Sequence, residues 1–121
     1  MPLFISVSEA ASLPNRSFID VHSRVVHGWD ALGAYCRGHI AGAQFLAFDR
    51  VFARDPVFEL GRHPWPDRRT VAAHLLGVLG PAGNAHYRVI FYDDGGMNFA
   101  ARAALCARWA GFKNAQILDG G

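Results

Sequence analysis

The sequence predicts an α/β fold, and three observations carry that prediction. Short apolar runs alternate with longer periodic ones, Gly, Pro and polar clusters separate them, and residues 88–118 read as strand, short loop, helix, strand. Such a βαβ unit joins parallel strands through a right-handed crossover and sets sites at the carboxyl ends of strands. Its first strand, Arg88 to Tyr92 (RVIFY), is a continuous apolar run suited to a buried parallel sheet. The helix, NFAARAALCARWA from Asn98 to Ala110, places Phe99, Ala103, Cys106 and Ala110 on one stripe before Gly111 stops it. Ala115 to Leu118 is the returning strand.

The remaining elements follow from the same signals. Leu3 to Ser6 is an expected edge strand, and Ser8 before Glu9, Ala10, Ala11 and Leu13 marks a short helix that Pro14 stops. Ser17 to Val21 (SFIDV) and Gln44 to Phe48 (QFLAF) are compact apolar runs expected as buried strands, forming the middle of the sheet with 88–92 and 115–118. Pro66 and Asp67 signal the start of a helix over DRRTVAAHLLGVLG, where Val71, Leu75, Val78 and Leu79 recur at helical spacing until Gly80 and Pro81.

Composition bounds the function. A chain of 121 residues, 51% hydrophobic and 18% charged, folds as one domain over 1–121. Twelve basic residues, eleven of them Arg, face ten acidic ones with no run of like charge, which gives no support to nucleic-acid or lipid binding. No apolar stretch reaches the roughly 18 residues of a membrane span, and the opening MPLFISVSEAASLP has no basic leader, so the expected location is the cytoplasm. Cys36 and Cys106 lack zinc-ligand spacing, and no GxSxG, Walker or dinucleotide motif occurs. Neither a metal nor a cofactor is expected.

The loop after the strong strand, Asp93-Asp94-Gly95-Gly96-Met97-Asn98, has two glycines and opens a helix, so its amides create a partial positive potential that suits an anion. Two carboxylates at its start oppose that use, since charges about 4 Å apart repel by roughly 4 kcal/mol at a dielectric of about 20. A plain strand-to-helix turn and a weak metal site are the alternatives. In RGHIAGA, His39 is expected to tie a loop to the sheet rather than to catalyse. Cys36 sits beside Arg37 without an identifiable base, and Cys106 belongs to an apolar helix stripe. His63 lies in GRHPWP, a loop stiffened by Pro64 and Pro66, with Trp65 expected to pack on the domain; Asp20 and Arg24 are a candidate charged pair.

Taken in order, SFIDVHSR, YCRGHIAGAQFLAFD, GRHPWP, VIFYDDGG, NFAARAALCARWAGF and QILDGG resemble a rhodanese domain, in particular the first domain of tandem sulfurtransferases. The resemblance covers residues 17–121 and implies a five-stranded parallel sheet flanked by helices on both faces. It also implies a chemistry: transfer of a sulfane sulfur from thiosulfate or 3-mercaptopyruvate to cyanide or another thiophile, through a persulfide on the cysteine that opens the loop after the central strand. Here that position is Asp93, which cannot carry a persulfide, so the chain alone is expected to be inactive. Asp49 and His63 match an Asp and an H-x-x-P His that face the interdomain cleft in the mercaptopyruvate branch. The resemblance further implies a covalent second rhodanese domain bearing the cysteine, with the present chain ending after its last strand; self-association through uncovered apolar surface is the expected response. The alternative is a stand-alone, inactive rhodanese-like binding module. A phosphatase of the related cysteine-loop kind also needs a cysteine within 93–98.

Overall fold

The computed structural model describes residues 1–22, 30–54, 64–80, 87–93 and 96–120. Five parallel strands form one sheet: β1 (Phe4–Ile5), β2 (Arg16–Asp20), β3 (Gln44–Phe45), β4 (Arg88–Tyr92) and β5 (Ala115–Leu118), in the order β1-β5-β4-β2-β3. Helices α1 (Val7–Ser12), α2 (Ala31–Arg37), α3 (Phe48–Val51), α4 (Arg68–Leu79) and α5 (Asn98–Trp109) connect them.

Side-chain alternation along the central strands divides the core in two. On one face Val89 and Phe91 of β4, Ile19 of β2 and Ile117 of β5 meet Val71, Leu75 and Leu79 of α4 and Ala100, Ala103, Ala104 and Cys106 of α5. The small side chains of α5 let that helix approach the sheet closely. On the other face Ile90, Tyr92 and Leu118 pack with Ile5, Ala10 of α1, Ala43 and Ile40. Helices therefore cover both faces, and β4-α5-β5 forms the βαβ unit that the sequence predicts.

The structure differs from expectation at β3, α1 and α2. The apolar run at 44–48 is not one strand. β3 stops at Phe45, Leu46 N donates to Asp20 O at 3.1 Å, and the chain then turns so that Phe48 opens α3. Phe48 is buried there against Phe99, with ring centroids 4.8 Å apart, and against Phe52 at 6.3 Å. A short apolar run does not by itself distinguish a strand from a buried helical turn. β3 also lies at the sheet edge rather than in its middle, which β5, β4 and β2 occupy. α1 starts before Ser8: Ser6 is its cap, with Oγ accepting from Glu9 N at 3.2 Å. α2 had no sequence signal because none of its residues is buried; it is started by Asp30, whose carboxylate accepts from Gly33 N at 3.0 Å.

The sheet order creates a crevice at one place. β2 leads through α2 to β3 on one side, whereas β4 leads through α5 to β5 on the other, so the connections diverge between neighbouring strands β2 and β4. Open parallel sheets place ligands at the carboxyl ends of such a pair. In register Asp20 lies beside Tyr92, and Asp93 follows directly.

Candidate active site

The carboxyl ends of β2 and β4 bring four polar side chains into the interior: Asp20, His22, Tyr92 and Asp93 are all buried. Buried polar groups persist when hydrogen bonds replace the lost water, and the contacts here are specific. Asp20 Oδ1 accepts from His22 N at 3.0 Å and lies 3.2 Å from His22 Nδ1. Tyr92 Oη accepts from Ile40 N at 3.0 Å, and Tyr92 lies beside Asp20 in the sheet register. Burial holds the Tyr92 phenol well above its ordinary pKa, and the Asp20 carboxylate adds to that rise against the opposing Ile40 amide. Tyr92 is thus a neutral strut that joins β4 to the segment before β3.

Asp93 has the decisive geometry. The chain leaves β4, turns through Gly96 (φ 82°) and Met97 (φ 73°), and enters α5 with Met97 as the capping residue. A left-handed Met is strained by about 1–3 kcal/mol and supplies no side-chain cap. The missing acceptor comes from upstream: Asp93 Oδ1 accepts from Met97 N at 3.1 Å, and Oδ2 accepts from Ala100 N at 2.8 Å. The positive end of α5 therefore faces a carboxylate of its own chain. The sequence suggested that two acids would spoil the loop as an anion cradle; Asp93 is instead the anion that its amides hold. Asp94 and Gly95 lie outside the described residues. Asn98 is the first residue of α5.

The other candidates are placed separately. Asp49 is in α3, partly buried, and lines a cleft of about 550 Å³ with Arg50, Arg54, Thr70 and His74. Phe48 beside it packs on Phe99, which fastens α3 to the start of α5. His63 and Arg24 lie outside the described residues, so the expected Asp20–Arg24 pair is not described; the Asp20 contacts above run to His22. His39 is exposed, stacked on Tyr35 at 3.8 Å with Nδ1 2.7 Å from the Tyr35 carbonyl. The tie to the sheet region comes instead from Tyr35 Oη, which donates to Ala43 O at 2.6 Å.

Neither cysteine lies in the loop after β4. Cys36 is exposed on α2, away from the loop in sequence, and Arg37 beside it pairs with Asp30 at 3.3 Å. Cys106 is buried under α5, where burial pushes its thiol up to about 11. Trp65, expected to pack on the domain, meets Trp109 edge to face at 5.7 Å and is 45% exposed. Sequence reasoning missed His22 and the Tyr92 hydroxyl. The available signal was Asp20 itself, an acid at the end of a buried strand that needs donors nearby. Among the described residues, no helix is long and apolar enough to cross a membrane.

Comparisons with known proteins agree with this geometry. The Rhodanese-like domain family matches residues 6–121. "Putative thiosulfate sulfurtransferase SseB" of Mycobacterium tuberculosis is 34% identical over 106 residues, covering 87% of this chain and 36% of that protein. "Probable 3-mercaptopyruvate sulfurtransferase" of Pseudomonas aeruginosa is 38% identical over 90 residues, covering 72% of this chain and 30% of that protein. The chain thus spans about a third of the length of these relatives. With the parallel five-stranded sheet and the strand-to-helix loop at its switch point, the match places this chain in the rhodanese family.

Proposed function

We propose that this chain is the non-catalytic, amino-terminal rhodanese domain of a tandem sulfurtransferase. The whole protein would move a sulfane sulfur from thiosulfate or 3-mercaptopyruvate to a thiophilic acceptor such as cyanide, using a cysteine in a second domain. The observation that carries this reading is Asp93. A sulfurtransferase loop must supply a thiolate that attacks the donor's terminal sulfur and forms an S–S bond as the donor's own bond to that sulfur breaks: the S–S bond of thiosulfate, releasing sulfite, or the C–S bond of 3-mercaptopyruvate, releasing pyruvate enolate that takes a proton. Cyanide then takes the outer sulfur as thiocyanate and returns the thiolate. At Asp93 a carboxylate stands in that place, and its oxygens already engage the Met97 and Ala100 amides that would stabilise a bound sulfur anion.

The role left to the domain is structural and electrostatic. Asp49, with His63 as its proposed companion, would border a cleft shared with the second domain and order a donor carboxylate or a proton-carrying water there. The polar cleft beside α3 supports that placement. Two measurements test the reading. In a thiosulfate:cyanide assay the 121-residue chain is expected to give no turnover, and turnover lost on changing Cys36 or Cys106 would overturn the non-catalytic role. Reading the gene past residue 121 should reveal a second rhodanese domain with a cysteine-containing loop; a stop codon would overturn the tandem arrangement.

A further inference from the structure

A surface beside α4 and α5 carries two exposed tryptophans. Trp65, on the segment that enters α4, and Trp109, the last residue of α5, are 45% and 39% exposed. Their rings meet edge to face, with centroids 5.7 Å apart. The Arg102 guanidinium lies 5.1 Å from the Trp65 centroid, and that of Arg68 lies 5.6 Å from Trp109. Leu105, on the same helix as Arg102 and Trp109, is 48% exposed.

Charge distinguishes this face from an ordinary solvated one. Neither α4 (RRTVAAHLLGVL) nor α5 (NFAARAALCARW) contains an Asp or Glu. The adjoining acid, Asp67, is committed to capping α4 through Thr70 N and Thr70 Oγ1. Arg68 and Arg69 are both exposed at the start of α4, whereas Arg108 is turned to the carbonyls of Ala115 and Pro2. Trp and Arg are the side chains that most often anchor interfaces, and an indole pair flanked by guanidinium groups loses little freedom on binding.

We propose that this face docks an acidic segment of a partner protein, which sets carboxylates against Arg68 and Arg69 and an apolar side chain against Leu105 and the indole edges. A guanidinium presents its donors in the plane of the group, in the fork geometry that carboxylates need. Single-stranded nucleic acid instead needs open aromatic faces along a basic track. Here a guanidinium lies over each indole, and the net charge of the chain is only +2. The inference is independent of the tandem arrangement.

The test is two-dimensional NMR of the 121-residue chain, following the indole N–H signals of Trp65 and Trp109. Three probes are added: a short Glu/Asp-rich peptide containing two leucines, its lysine counterpart, and oligothymidylate. The acidic peptide is expected to shift both signals saturably, with Kd on the order of 10–100 μM at low salt and a weakening of about fivefold at physiological salt. Arg68→Glu with Arg69→Glu should weaken it by about tenfold or more. That variant retains its fold, because acids are favourable in the first turn of a helix; Arg68→Gln with Arg69→Gln should give an intermediate loss. The proposal is overturned by no saturable shift with the acidic peptide, by equal affinity in the charge-reversed variant, or by tighter binding of oligothymidylate.

Discussion

Replacing Asp93 by Ala removes both acceptors at the mouth of α5 while leaving the fold's apolar core untouched. The Met97 amide would lose its 3.1 Å bond and the Ala100 amide its 2.8 Å bond, at a position only 2% exposed. A bond to a charged acceptor contributes about 1.5–3 kcal/mol, and loss of a helix cap alone costs about 0.5–2 kcal/mol. Because the two bonds share one carboxylate and water can reach part of the helix end, their joint loss should cost about 2–4 kcal/mol. Asp93→Asn keeps one acceptor but turns an NH₂ toward the other amide, so it should fall between the parent and Asp93→Ala. Urea unfolding at neutral pH reads the difference directly, with the slope unchanged if both states keep their compactness. A stability of Asp93→Ala within about 0.5 kcal/mol of the parent would refute the assignment of this carboxylate as the cap of α5. The strained Met97 makes the dependence sharper, since its left-handed backbone persists only while those bonds hold it.

Two further outcomes follow from the buried groups. Cys106 has its pKa raised from 9.0 to about 11, so between those values the unfolded chain releases a proton that the folded chain keeps. Stability is therefore fully present below pH 9 and falls by about 2 kcal/mol as pH rises toward 11; Cys106→Ala should flatten the onset of that fall in pH-dependent urea titrations, and an unchanged profile would contradict it. Tyr92→Phe deletes the acceptor of the Ile40 amide, and should destabilise the chain by about 1–3 kcal/mol in the same titration. No loss of stability in Tyr92→Phe would mean that this strut carries nothing.

What was legible in the sequence, and what was not, follows from the physics of each signal. β4 and α5 were readable because Arg88–Tyr92 and Asn98–Trp109 are long, strongly patterned and packed on one another. α4 was readable for the same reason, with Asp67 as an explicit cap. α2 was invisible because it buries no residue and so has no stripe, and α3 was hidden because Phe48 continues the apolar run of β3. The loop after β4 was located correctly, yet its inner chemistry was not. Sequence showed two acids and implied repulsion, whereas three-dimensional placement turned one of them onto the helix amides. Such a reversal depends on the path through Gly96 and Met97, which residue type alone does not fix.

The most direct measurement is intact-protein mass spectrometry of the 121-residue chain after incubation with thiosulfate or 3-mercaptopyruvate, followed by peptide mapping. With an oxygen acid at the head of the loop, the mass should stay that of the untreated chain and no sulfite or pyruvate should accumulate in proportion to protein. Stoichiometric gain of one sulfur atom, reversed by cyanide with release of thiocyanate, would contradict the account at its base.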